Sequence, residues 1–389
     1  MKVDREQLMQ DGFLILREVI APEDLAPLRA SYETLIERQG GQQWLGEGKQ
    51  PRINIVPHVD ESTADAAEIW LHDNTLGVAR QLISCGDAAA ATSLWAMCSP
   101  LEDHGPAAWH RDVHPIDMAP MRLLQLDMLE NGPRYVQWNI PLYDDDVLWA
   151  VPGSHRRINT EQENDELLAD PRAALTGGVP IELKAGDAVV YINFLLHWGS
   201  NYSKKMRRTL HGGHAMFMDN SGGDCARFLS PATRDQFAHW DTQVAQTQER
   251  TAAALRAVLD GNTAAYDSAL EALHPGVGAA GKLVLTIFLC KAVQLMRIAT
   301  RQDLSDVPEA LQRVAEGSHS ITLNWGPAFA SRFSAAEIDK LWQRFEFVDT
   351  RLLNTAEYFI PGYQSGPMQY FFEDVTEPFA AADFVASWR

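Results

Sequence analysis

Between Thr92 and Met218 the chain consists almost wholly of short apolar runs separated by turn signals, and this texture limits the fold more than any other feature. The runs include SLWAM, MRLLQLDML, RYVQWNIPL, VLWAV, AVVYINFLL and TLHGGHAMF. The breaks include Asn131-Gly132-Pro133, Asp144-Asp145-Asp146, Pro152-Gly153-Ser154 and Ala185-Gly186-Asp187. Many short strands with regular turns predict a β-sandwich or barrel. The segment from Asn159 to Gly178, rich in Glu and Asp, reads as a surface insertion between strands.

The flanks have a different texture. Val3 to Gln10 predicts a short helix, Asp11-Gly12 a break, and Phe13 to Val19 a strand. Pro22-Glu23-Asp24 then opens a helix, with acids in the first turn where the helix dipole favours them, and this helix runs to about Gln39. Beyond residue 222 the pattern becomes helical, from Pro231 to Leu273 and again at 280–300, 307–316 and 334–354. The reading is a fold that is mainly β with helices, divided into a sheet-rich part, 1–221, and a mostly helical extension, 222–389. That extension is expected to serve as a lid, a dimerisation element or added core. Its aromatic residues, among them Trp325, Trp342, Phe345, Tyr363 and Phe372, read as core.

Composition removes several functions. A hydrophobic share of 46% and 11 Trp argue for real cores rather than disorder. A formal charge of -19 argues against nucleic acid and anionic membranes as partners, because phosphate binding needs a basic face. Cys85, Cys98, Cys225 and Cys290 form no CxxC pair and read as free thiols in a reducing compartment. The N-terminus, MKVDREQLMQDGF, lacks a long apolar stretch, so no signal peptide is expected. The run Leu283 to Cys290 falls short of the roughly 20 residues of a membrane helix and reads as a buried helix. A cytoplasmic protein is the expectation.

The chemistry centres on AWHRDVHP. In extended chain, residues i and i+2 point to the same side, so His110 and Asp112 can meet one metal ion. Two histidines and one carboxylate occupy one face of an ion and leave three positions open, which suits iron(II) taking a bidentate cosubstrate and O₂. His-x-Asp alone is a common tripeptide, ordinarily part of a surface loop, and needs a third ligand. His197 supplies it in LKAGDAVVYINFLLHWGSNYSKKMRR, where a Gly-Asp turn leads into an apolar strand that ends on the histidine. Asn201 and Ser203 then form an Asn-x-Ser turn, with Arg207 on the following strand. A buried cation there needs an anion, and a dicarboxylate satisfies it through a bidentate fork.

These segments resemble the phytanoyl-CoA dioxygenase family. DGFLILREVIAPEDLAPLR is similar to that family's N-terminal strand and helix. WHRD is similar to its first ligand pair, LWAVPGSHRR to its VPGSH stretch, and HWGSNYSKKMRR to its distal histidine, turn and arginine. They follow the family's order over roughly residues 5–218. The resemblance implies a double-stranded β-helix (a cupin-like jelly roll) and a non-haem iron(II), 2-oxoglutarate-dependent dioxygenase. It implies His110, Asp112 and His197 as iron ligands and Trp138 as a lining of the cosubstrate pocket, with Trp95 and Met97 beside it. Counted from Asn201, the arginine gripping 2-oxoglutarate is Arg207; counted from His197, it is Arg208. The count from the turn is followed, because a deletion inside the loop leaves the next strand in register and sends Arg208 to the other face.

The implied reaction couples O₂ and 2-oxoglutarate to hydroxylation of an unactivated C–H bond, releasing succinate and CO₂. The substrate is a small molecule, and a homodimer is compatible with the helical extension. Because relatives that halogenate lack a carboxylate at the middle position, Asp112 favours hydroxylation, or desaturation or epoxidation. A catalytically silent cupin-like binding protein is the alternative. Two departures from the family stand out. Asp144 to Asp146 replace the usual Glu-Asn-Gly, which is expected only to alter a turn, and Met121 to Pro133 is long and is expected to shape the substrate mouth. His155 reads as structural, His211 and His114 as candidates to line the pocket, and His214 as facing away.

Overall fold

The computed structural model describes every residue except 114–117, 203–204, 217–222, 308, 317, 320–322, 359, 364–367 and 389. His114, Ser203 and the expected boundary at 222 lie outside the described residues.

Two antiparallel sheets hold the centre. The larger has six strands in the order β1 (Phe13–Leu16), β7 (Ala188–Tyr191), β4 (Tyr135–Pro141), β9 (Arg208–Ala215), β3 (Ala90–Cys98) and β2 (Arg52–Asn54). The smaller has β6 (Val179–Pro180), β5 (Leu148–Ala150) and β8 (His197–Gly199). Neighbours in each sheet are far apart in sequence, as a jelly roll requires. By residue count helix exceeds strand, about 49% against 15%, because helices wrap this small β core.

Alternation along the strands explains the layering. On β4, Val136, Trp138 and Ile140 point outward into the main apolar cluster, with Leu210 of β9, Val190 of β7 and Leu94 of β3. Helices seal this outer face, and the same cluster runs on through Trp240, Leu285, Phe288 and Phe345 of the C-terminal part. The apolar helix Ala279–Ala299 meets the length and hydropathy needed to cross a membrane, yet 78% of its apolar window is buried in the protein, and it packs as a core helix. On the inner face, Val189 and Tyr191 of β7 meet Leu148, Ala150, Ile181 and Leu183 between the sheets. Each large apolar side chain so buried contributes about 1.5–3 kcal/mol.

One sequence expectation changes. MRLLQLDML is a helix, Met121–Asn131, not a strand. Its buried positions Met121, Leu124, Gln125 and Met128 follow the helical period, and Gly132, at φ +90°, ends it. The insertion from Asn159 to Gly178 contains the helix Glu161–Ala169, started by a reciprocal cap between Thr160 and Glu163. The four cysteines are free thiols.

Candidate active site

His110, Asp112 and His197 converge, each offering a ligand atom within 4.8 Å of the others. The backbone builds this meeting. His110 and His197 form an antiparallel bridge, each N–H donating to the other's carbonyl at 2.9 Å. Asp112, two residues on, returns to the same side and is tied by a bond from its own N–H to Asn193 O at 2.9 Å. Asp112 stands between the imidazoles, its carboxylate 3.6 Å from His110 Nε2 and 3.5 Å from His197 Nε2.

Hydrogen bonds decide the tautomers. His110 Nδ1 lies 2.9 Å from Ala108 O and His197 Nδ1 2.8 Å from Leu195 O. A carbonyl only accepts, so both Nδ1 atoms carry the proton and both Nε2 lone pairs face the gap, the usual arrangement of metal-binding histidines. Burial opposes the charge on Asp112, but His197, His110 and the Gln137 hydrogen bond outweigh it and hold the carboxyl at about 2. Burial first, and His110 second, push His197 down to about 4, so it is neutral and able to ligate at neutral pH. Two imidazoles and one carboxylate whose ligand atoms all lie within 4.8 Å of one another fit iron(II).

A cavity of about 60 Å³ opens from the triad between the two sheets. Gln137, Asn139, Tyr191 and His211 stand near the triad, with Tyr202 and Arg207 also in the wall. Gln137 Nε2 donates to Asp112 Oδ2 at 2.9 Å and to Tyr191 Oη at 2.8 Å. His211 Nδ1 meets Asn139 Oδ1 at 2.7 Å, and burial, then Arg52, push this histidine down to about 3. Arg207 is 4% exposed; its Nε donates to Asp145 Oδ2 at 2.8 Å, and its Nη1 has no partner among the described residues.

A family profile described as phytanoyl-CoA dioxygenase (PhyH) matches residues 8–209, more than half of the chain. The chain belongs to the phytanoyl-CoA dioxygenase family. It is accordingly an oxygenase whose cofactors are iron(II) and 2-oxoglutarate. Similar solved structures include AviO1 from Streptomyces viridochromogenes Tue57, at 23% identity and TM-score 0.38 over 55% of this chain and 96% of that one. HygX from Streptomyces hygroscopicus, with nickel and 2-oxoglutarate bound, is 15% identical at TM-score 0.42 over 55% and 87%. EctD from S. alaskensis is 17% identical at TM-score 0.39 over 54% and 75%. Among curated proteins no match is found.

Within the phytanoyl-CoA dioxygenase frame, several expectations need correction. Trp138 does not line the cavity. Odd positions of β4 face inward and even positions outward, so Gln137 and Asn139 reach the cavity while Trp138 is buried beneath the helices, edge-on to His214 at 6.0 Å. Trp95 shares the inward face, opposite His211, but is half-buried and outside the cavity lining, whereas Met97 is part of it. Arg208 is not a cavity residue. It points the other way and pairs with Glu33 at 2.8 Å. His214 also faces out and bonds Trp70 O at 2.9 Å. His155 is structural, its Nε2 held 3.1 Å from Met9 O.

Sequence reasoning missed Gln137, Tyr191, Asp145 and Arg111. The Asp144–Asp146 run does more than alter a turn, since Asp145 is buried against Arg207. Arg111, between two ligands, is fully buried. Its Nη1 donates to Ser154 O at 2.8 Å and Phe194 O at 2.7 Å, and its Nη2 to Asn159 Oδ1 at 3.0 Å. Its backbone N–H reaches Gly362 O at 3.0 Å, so the C-terminal part is bonded to the ligand-bearing segment. Parity gave one usable signal: Arg207, Thr209 and His211 are spaced by two and share the inner face. Gly213 is the close-approach residue of this face, since a Cβ there would lie 2.1 Å from the Tyr135 ring.

Proposed function

We propose that the chain hydroxylates an unactivated C–H bond of a small molecule, with His110, Asp112 and His197 holding iron(II) and Arg207 receiving the far carboxylate of 2-oxoglutarate. The observation that carries this reading is a two-histidine, one-carboxylate cluster opening into a cavity whose wall includes a buried arginine with an unspent donor. Bound iron and cosubstrate supply the oxidising power by splitting O₂, with release of succinate and CO₂.

The chain's own residues do the rest. The Nδ1–carbonyl bonds keep both imidazoles turned with Nε2 toward the metal position. Gln137 holds one oxygen of Asp112 and so fixes the plane of its carboxylate. The jelly-roll interior excludes water around Arg207, so its charge acts in a low-dielectric wall where a carboxylate is held more strongly than in water. Roughly 60 Å³ cannot hold a drug-sized substrate as well as a diacid. The substrate therefore stands outside the cavity, on the side where His110 and Asp112 are each 23% exposed while His197 is 5% exposed. Asp112 fills the third ligand position, which supports hydroxylation over halogenation. The division at residue 222 is proposed as organisational, the helices of 222–389 acting chiefly as added core behind the large sheet.

The test is an anaerobic titration of the iron(II)-loaded protein with 2-oxoglutarate, followed by visible absorption. A weak charge-transfer band saturating near one cosubstrate per chain is expected, and substrate screening by succinate release follows. Folded, iron-loaded protein without that band would leave a catalytically silent cupin-like binding protein.

A further inference from the structure

Behind the cavity wall, against the lining residue Arg207, sits a carboxylate that the reaction does not call for. Asp145 is 8% exposed, and its partner Arg207 4%. Asp145 is immobilised on every side. Its backbone N–H and carbonyl pair with Leu183, both at 2.9 Å. Oδ1 accepts from the Val147 N–H at 2.9 Å, and Oδ2 from Thr209 Oγ1 and Arg207 Nε, both at 2.8 Å.

Arg207 is thus gripped along its Nε edge, with the Tyr202 ring 5.3 Å from its guanidinium carbon. Nη1 is left without a partner among the described residues, inside the wall of the cavity that holds the triad. A free arginine offers carboxylates two edges of its fork; here one edge is already taken by a rigid anion. A long, flexible side chain is therefore seated before any ligand arrives, which lowers the ordering cost of binding.

Accepting Arg207 as the cosubstrate arginine, we propose that Asp145 is a positioning residue of that site. It fixes the guanidinium so that the far carboxylate of a 2-oxo diacid meets only its Nη atoms, and it thereby sets the preference for a diacid over a monoacid. Asp145 does not touch the cosubstrate; it acts through Arg207.

Calorimetry on manganese(II)-loaded protein without O₂ tests this with two ligands of equal length, 2-oxoglutarate and 2-oxopentanoate, the second lacking the far carboxylate. The parent protein is expected to prefer the diacid; no preference would remove the reading of Arg207 itself. In Asp145→Ala, 2-oxoglutarate is expected to bind at least tenfold more weakly, while 2-oxopentanoate and manganese(II) change less than twofold. Asp145→Asn, which keeps an acceptor for Nε and the same shape, is expected to show a smaller loss and serves where the alanine variant fails to fold. Equal weakening of both ligands, or an unchanged or tighter 2-oxoglutarate affinity in either folded variant, overturns the proposal.

Discussion

The amide nitrogen of Gln137 lies 2.9 Å from Asp112 Oδ2 and 2.8 Å from Tyr191 Oη, so one side chain links the carboxylate of the His-Asp-His cluster to the cavity wall. A ligand carboxylate free to rotate loses affinity for its ion, and supports of this kind are typically worth about 10–100-fold. Gln137→Leu keeps the bulk and deletes both bonds. Its manganese(II) affinity, measured by calorimetry, is expected to fall about 10-fold or more with circular dichroism unchanged; parent-like affinity would show that Asp112 needs no such support.

The adjacent arginines are expected to separate cleanly. Arg207→Met deletes a charge-assisted contact worth about 1.5–3 kcal/mol and should weaken 2-oxoglutarate roughly 10- to 100-fold. Arg208→Met breaks a pair with the part-exposed Glu33 and a bond from its Nη1 to the Arg207 carbonyl, costs about 1–3 kcal/mol of stability, and should leave cosubstrate binding unchanged. A stronger binding defect in the second variant would reverse the assignment.

Among the described residues, the Arg111 side chain holds its segment through hydrogen bonds to the neutral acceptors of Ser154, Phe194 and Asn159. Arg111→Met strands these buried acceptors, at about 1–3 kcal/mol each where water cannot enter. Urea unfolding is expected to show a loss of several kcal/mol, together with weaker metal binding. A variant as stable as the parent would mean that water replaces the guanidinium.

Buried neutral histidines should make the fold sensitive to mild acid. Burial is the leading cause of the depressed values of His155 at about 4, His211 at about 3, His214 at about 4 and His274 at about 4. Unfolded, they take protons near 6.5, so between about 6.5 and 4 the unfolded chain binds more protons than the folded one. Stability is full above that window and is lost as pH falls through it. Thermal unfolding of the metal-free protein is therefore expected to move to lower temperature from pH 7 to pH 5, and a flat profile would contradict the neutral, buried assignment.

Much of the site was legible because its signals are local. His110 and Asp112 sit two apart on one extended segment, and the parity of β9 placed Arg207 and His211 inside and Arg208 and His214 outside. On β4 the reading of Trp138 came from the family resemblance, and parity could not correct it because it gives two faces without saying which is inner, while Gln137 and Asn139 look like ordinary polar strand residues. Asp145 was read as turn because its partners, Arg207 and Thr209, are 62 and 64 positions away. Met121–Asn131 is so densely apolar that its helical period was hidden among neighbouring strands.

The bond from Arg111 N to Gly362 O also bears on the order of assembly. The segment carrying His110 and Asp112 acquires this neighbour only after some 250 further residues have been made. A chain emerging from the ribosome can pair its jelly-roll strands early, but the segment from His110 to Asp112 stays open along one side until the stretch around Gly362 arrives. Contacts so distant in sequence form slowly. Competence to hold iron should therefore lag behind the appearance of sheet structure during refolding.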